Sequence, residues 1–492
     1  MQNKDDLMTQ SVLTPRQIIE LDATAVLAAY RDGTLLPSQA VDAFIAHQQR
    51  CNDKLNAIVD ERYAAARAEA ARCDELLAQG RAEGLLFGVP MSMKEGFDVV
   101  GMHTTGGLVE NRHRIAHTDA NAVARLKRAG AIILNKTNTP ELCFCQETDN
   151  ALFGRSNNPW NLTCTTGGSS GGEAALMAVG GAAVGFGSDI GGSIRLPAHF
   201  CGVVGFKPGA FAYPAGGHYA GKTAEHQEML IGYGPLARSV RDAMLVYAAV
   251  HPSFRPPRDA SLAQDLPVIS FASFDQTICS RETSRLHFQA QELLREHGAA
   301  IDVRPPAFMT RVADAWQLIM SEDKGSGVVD EVYPGRPHAY LRDLLRAKLG
   351  RRTDHHPFLT WGILGTQLFP PNDKQLRWAV DFAKDSVRQL AETLGETGVL
   401  LTPAYPTPAK MHGQVYADIF SITMSFRKVM PFMALGNVLG LASLVVPCGF
   451  SDDGLPIGLQ VATPVGNEAQ LFRVALLLEK SFGGYRRNTQ YD

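Results

Sequence analysis

A chain of 492 residues, 45% hydrophobic and 20% charged, can bury a large core, so a globular protein of one large domain or two or three smaller ones is expected. A formal net charge of -3 excludes a global basic field able to gather nucleic acid or an anionic membrane. The eight cysteines, at 51, 73, 143, 145, 164, 201, 279 and 448, are scattered without C-x-x-C pairing, which excludes a zinc ribbon or disulfide framework and predicts reduced thiols.

The first thirty residues carry Lys4, Asp5 and Asp6 and then an amphipathic pattern, with no apolar stretch and cleavage site for export, so a cytoplasmic location is expected. Apolar positions at helical spacing predict helices through 16–80, with Pro37 in a first turn and Gly80 at a C-terminus. From Leu85 short apolar runs (87–93, 131–134, 182–186) alternate with helical segments (121–129, 172–178), the texture of an α/β sheet. Between 210 and 400 longer helices take over, notably 283–297 and 374–394. Strand texture returns at 398–403, 442–447 and 455–462, before a helix over 468–480. Strands from both ends of the chain predict one interwoven domain over 1–492. Its parts are a helical layer (12–80), a core (85–208), a variable covering region (210–400) and a return to the core sheet (400–492). The small-residue run 174–187, bounded by Glu173 and Asp189, is shorter than the about 20 residues of a membrane span.

The densest signal lies between Gly167 and Pro208, where two Gly-Ser clusters flank a run of very small side chains. Small residues let backbone amides converge on one point, as an anion or a developing oxyanion requires. A flexible linker would not alternate with a compact apolar run. A phosphate cradle would want G-x-x-x-x-G-K-[ST] or G-x-G-x-x-G after a strand, and neither is present. Gly167-x-Ser169-x-Gly171 satisfies the nucleophile-elbow formula, but Asn158-Pro159-Trp160-Asn161 before it reads as a turn and not a long buried strand.

The same segment resembles the signature of the amidase signature family of serine hydrolases. The neighbours agree: Gly88-Val89-Pro90 before Met93-Lys94-Glu95, Thr104-Thr105-Gly106, Asn135-Lys136-Thr137-Asn138-Thr139-Pro140-Glu141, and later Val446-Pro447-Cys448-Gly449-Phe450 and Gly454-Leu455-Pro456-Ile457-Gly458-Leu459-Gln460. The resemblance implies an α/β fold with a large mixed central sheet covered by helices on both faces. It implies a Ser-Ser-Lys triad of Ser193, Ser169 and Lys94, spaced like that of the fatty-acid-amide-hydrolase branch, with Ser169 on a cis peptide bond. It further implies an oxyanion hole from the N–H groups of Ile190, Gly191, Gly192 and Ser193, and Cys143 at the edge of the acyl site. Ser170, Asp189 and Arg195 would support these groups, or simply cap and pair locally. Glu95 stands where many members carry Asp, and Thr166 where proline is common.

A serine hydroxyl attacks well only if something takes its proton. A lysine does so only when neutral, so its pKa must be held well below the ordinary value of about 10.4, which costs about 3–4 kcal/mol for activity near pH 7 to 8. Phe87, Val89, Met91 and Met93 make burial of Lys94 reasonable, and Glu95 should face the other side of the strand. No metal or organic cofactor is required.

Other candidates read as structure. His355 and His356 are adjacent and cannot form a helical ligand pair, so no metal is expected. Arg346, Lys348, Arg351 and Arg352 are flanked by Asp343 and Asp354 and read as a solvated face. Cys143 and Cys145 lack a motif pairing either with a histidine, and 359–371 and 424–433 read as core with a part in an acyl channel. The function expected is hydrolysis of a small-molecule carboxylic amide, with no nucleic-acid or membrane partner and a homodimer left open. The rivals are the glutamine-hydrolysing subunit of a tRNA-dependent amidotransferase and a non-catalytic binding protein on the same scaffold.

Overall fold

The computed structural model describes residues 13–212, 216–219, 224–257, 259–272, 279–305, 307–395, 397–419 and 425–492, with backbone alone at 307–310. Lys4, Asp5, Asp6 and Met424, within stretches named above, lie outside the described residues.

In chain order the strands are β1 (Ile58–Glu61), β2 (Pro90–Lys94), β3 (Ile132–Thr137), β4 (Asn157–Asn158), β5 (Asn161–Thr165), β6 (Val184–Asp189), β7 (Val204–Lys207), β8 (Gly232–Ala237), β9 (Leu266–Phe271), β10 (Ala299–Arg304), β11 (Val399–Pro403), β12 (Ala442–Phe450) and β13 (Pro456–Thr463). Eleven form one sheet, ordered β1-β3-β2-β6-β8-β7-β12-β13-β11-β9-β10, and β4 pairs with β5 in a separate hairpin. The sheet is mixed: β2 runs parallel to both β3 and β6, whereas β7 and β13 are each antiparallel to β12. Its middle joins the two ends of the chain, because β7 pairs directly with β12.

Alternation along the strands gives each face its own core. Leu444, Val446, Leu459 and Val461 pack among side chains of helices Pro37–Leu55, Val240–Val250 and Glu468–Phe482. Val445 instead joins Ala174, Ala175, Ile194 and Ala198 on the opposite face. Helices therefore cover both faces, as the sequence predicts.

The differences are instructive. The stretch 16–80 is helical except for β1, a four-residue edge strand without a buried side chain and hence without a hydrophobic signature. The covering region supplies three sheet strands. β8 reads GYGPLA, whose glycines and proline hide its pattern, and β10 is an edge strand with three exposed residues. The turn at 158–161 is the tip of the β4-β5 hairpin.

Candidate active site

Strands β2 and β6 lie side by side and parallel, so Lys94 and Asp189 emerge at neighbouring C-terminal ends. Ligand crevices in α/β sheets form at such ends. Ser169 sits just before helix Gly171–Ala178, and Ser193 lies two residues before helix Arg195–Cys201. Ser170 N–H donates to the Ser193 carbonyl at 3.0 Å, which ties the two serine turns together. The Gly168–Ser169 peptide bond is cis.

Lys94 is fully buried, and its Nζ lies 2.6 Å from Ser169 Oγ and 2.8 Å from Ser188 Oγ. Burial holds its pKa below the ordinary lysine value, opposed in part by Cys143, Asp189 and Glu173. In the neutral state the lone pair can accept the Ser169 O–H while an N–H donates to Ser188. Glu95 faces away: it accepts from Thr105 N–H, from Thr105 Oγ1 at 2.9 Å and from Gly106 N–H at 3.0 Å, with Lys136 as its neighbouring charge.

Asp189 is a buried anion with many partners. Arg195 Nε and Nη2 donate to its two oxygens at 3.0 Å each, joined by Asn437 Nδ2 at 2.9 Å and Ile194 N–H at 3.1 Å. Burial alone would raise its pKa, but the Arg195 charge and hydrogen bonds, with Lys207 and Asn437, bring it well below the carboxylate range. Arg195 in turn donates to Gln460 Oε1 at 2.7 Å and Asn437 Oδ1 at 2.5 Å.

This network shapes the 190–193 turn. Trp316 Nε1 donates to the Ile190 carbonyl at 2.9 Å, Gln146 Nε2 to the Gly191 carbonyl at 3.4 Å, and Leu196 N–H to the Gly192 carbonyl at 2.7 Å. The N–H of Gly192, part of the expected oxyanion set, donates to Asp189 Oδ1 at 2.8 Å. Gly192 has φ +98°, and a Cβ there would fall 2.7 Å from Met433 Cβ; at Gly191 a Cβ would meet Trp316 at 2.8 Å.

A cavity of about 750 Å³ opens over Ser169, Ser188 and Ser193. Its walls are mainly apolar, including Leu142, Phe144, Ile190, Ile231, Tyr233 and Ile363, with the acids Glu228 and Asp323 and the thiol of Cys143. Part of the stretch 359–371 thus reaches the cavity. Cys145 is buried elsewhere, its Sγ accepting from Glu147 N–H. His355 lies 3.4 Å from Glu110, and His356 caps helix Pro357–Leu368. Lys348 of the basic cluster lies over the Trp361 ring. Among the described residues no three His, Cys, Asp or Glu side chains converge as a metal centre needs. Gln460 enters sequence reasoning only as the last residue of a motif, and Ser188, Trp316 and Asn437 escape it. Only Ser188 carries a signal, lying inside the Gly-Ser segment with its hydroxyl beside the lysine.

A mixed sheet thus delivers a buried lysine to two serine turns beneath an apolar cavity. The sequence matches the family model "Amidase" over residues 39–472, and the chain belongs to the amidase family, hydrolases of carboxylic amides. It is 31% identical to fatty-acid amide hydrolase 2-B of Danio rerio, over 95% of this chain and 90% of that protein. It is also 31% identical to a glutamyl-tRNA(Gln) amidotransferase subunit from Thermosynechococcus vestitus, over 86% and 90%. A solved amidase superposes with a TM-score of 0.75 at 25% identity, covering 94% of this chain and all of that one. A fatty acid amide hydrolase structure shares the fold, with a TM-score of 0.79 at 22% identity over 97% and 88%.

Proposed function

We propose that the chain hydrolyses an uncharged, largely apolar carboxylic amide through an acyl intermediate on Ser193, with Ser169 and Lys94 relaying the proton. The observation that carries this reading is the buried Lys94 amine, 2.6 Å from Ser169 Oγ. Neutral Lys94 accepts the Ser169 proton as Ser169 accepts that of Ser193, and Ser193 Oγ attacks the carbonyl carbon. The oxyanion meets the N–H groups of Ile190, Gly191 and Ser193, each typically worth about 3–4 kcal/mol. The proton returns through Ser169 to the departing amine, and water then cleaves the acyl ester.

Among the described lining residues there is no lysine or arginine to pair with a substrate carboxylate. This favours a stand-alone amidase over a glutamine-hydrolysing subunit, whose substrate carries a carboxylate. Labelling with a fluorophosphonate followed by peptide mass spectrometry tests the triad. Modification at Ser193, lost in Lys94→Ala, is expected; modification at Ser169 would return the elbow reading.

A further inference from the structure

Cys143 ends a short helical turn, Glu141–Cys143, in which Leu142 and Cys143 both take left-handed backbone angles (φ 53° and 59°). Side chains larger than hydrogen rarely adopt them, so the bend is imposed by its surroundings. It places the thiol in the wall of the same cavity as Ser193 and aims it at Gly96, two residues beyond Lys94. A Cβ built on Gly96 would fall 2.7 Å from Cys143 Sγ and 3.2 Å from His218 Nε2, so sulfur and imidazole face one small volume.

Two independent features mark that volume. Thr139 Oγ1 lies 3.3 Å from Cys143 Sγ and 3.0 Å from the Ser169 carbonyl, so one hydroxyl positions both the thiol and the serine turn. His218 Nε2 is shielded from solvent and has no hydrogen-bond partner among the described residues, although its ring is clamped by Phe97 at 4.5 Å and Tyr233 at 5.1 Å. Burial above all holds this imidazole neutral. An orphaned neutral imidazole beside a thiol is equipped to bind a polar atom entering the cavity.

We propose that Cys143 is a covalent-modification site for soft electrophiles small enough to enter the amide cavity, α,β-unsaturated amides above all. The thiol proton passes to the neutral Lys94 amine beside it. Sulfur attacks the β-carbon, a C–S bond forms as the C=C π pair moves to the α-carbon, and the proton is delivered there. Nothing is oxidised and nothing leaves. The adduct stands over Lys94 and Ser169, so hydrolysis stops while Ser193 stays intact.

The test is incubation of wild type and Ser193→Ala with acrylamide, followed by peptide mass spectrometry, with the partly exposed Cys73 as internal reference. Cys143 should be labelled in both proteins. Wild-type activity should fall in step with Cys143 occupancy, at least tenfold faster than in Cys143→Ser, and prior sulfonylation of Ser193 by phenylmethanesulfonyl fluoride should slow labelling. If Cys143→Ser fails to fold, that protection in the wild type decides. Cys73 labelled with Cys143 untouched, Cys143 labelled with activity retained, or labelling indifferent to a sulfonylated Ser193 would each overturn the proposal. A wild type that never sulfonylates at Ser193 counts against the triad alone, because labelling in Ser193→Ala still reads the thiol.

Discussion

Arg195 closes a two-point ion pair on Asp189, both side chains buried, and the same carboxylate holds the N–H of Gly192. Removing the cation leaves an uncompensated charge in the core. Arg195→Met is expected to lower stability by about 3–5 kcal/mol in urea denaturation. It should also lower kcat more than it raises KM, because the 190–193 turn loses its anchor.

The acid limb of the pH–rate profile should report Lys94. Only the free amine can take a proton, and burial lowers the pKa of its conjugate acid. Activity should therefore rise with pH through a midpoint below about 10.4. Ser188→Ala removes an oxygen that steadies the ammonium more than the amine. The limb should move to lower pH, with kcat down about 10- to 100-fold.

Glu141 gives a pH dependence of stability with the opposite origin. Burial pushes its carboxyl up to about 8, against N–H donation from His356 and Ala151. The unfolded chain ionises near the ordinary value of about 4.3, so between there and 8 the folded protein holds the extra proton. That stabilisation is complete below the unfolded value and disappears as pH rises through 8. Wild type measured against Glu141→Gln by denaturant titration should lose ground steadily across this window.

Two glycines should behave oppositely. Gly365 lies inside helix Pro357–Leu368 with nothing within 4 Å of a built Cβ, so Gly365→Ala should add about 0.5–1 kcal/mol and leave turnover unchanged. Gly192→Ala forces a side chain onto Met433 at a left-handed backbone angle. A loss of about 1–3 kcal/mol in stability and at least a roughly 100-fold fall in kcat are expected.

Much of this is legible in the residues. The Gly-Ser segment and the apolar run before Lys94 point to the same crevice, and the buried strands announce themselves because both faces carry apolar side chains. What stays hidden has physical causes. β1 and β10 are edge strands with little to bury, and β8 is built from residues that blur a strand signal. Asn437 and Gln460 reach Arg195 from more than 240 positions away, a distance no local pattern can encode. The bond from the Gly192 amide to Asp189 is equally hidden, because it depends on how the turn curls and not on which residues form it.

The pairing of β7 with β12 has a consequence for biosynthesis. A nascent chain leaving the ribosome presents Lys94, Ser169 and Ser193 long before Asn437 and Gln460 arrive to satisfy the Arg195 guanidinium. Until then the half-built sheet exposes an unpaired β7 edge in mid-core, a surface prone to sticking to other chains. Fragments ending before residue 442 are therefore expected to be insoluble.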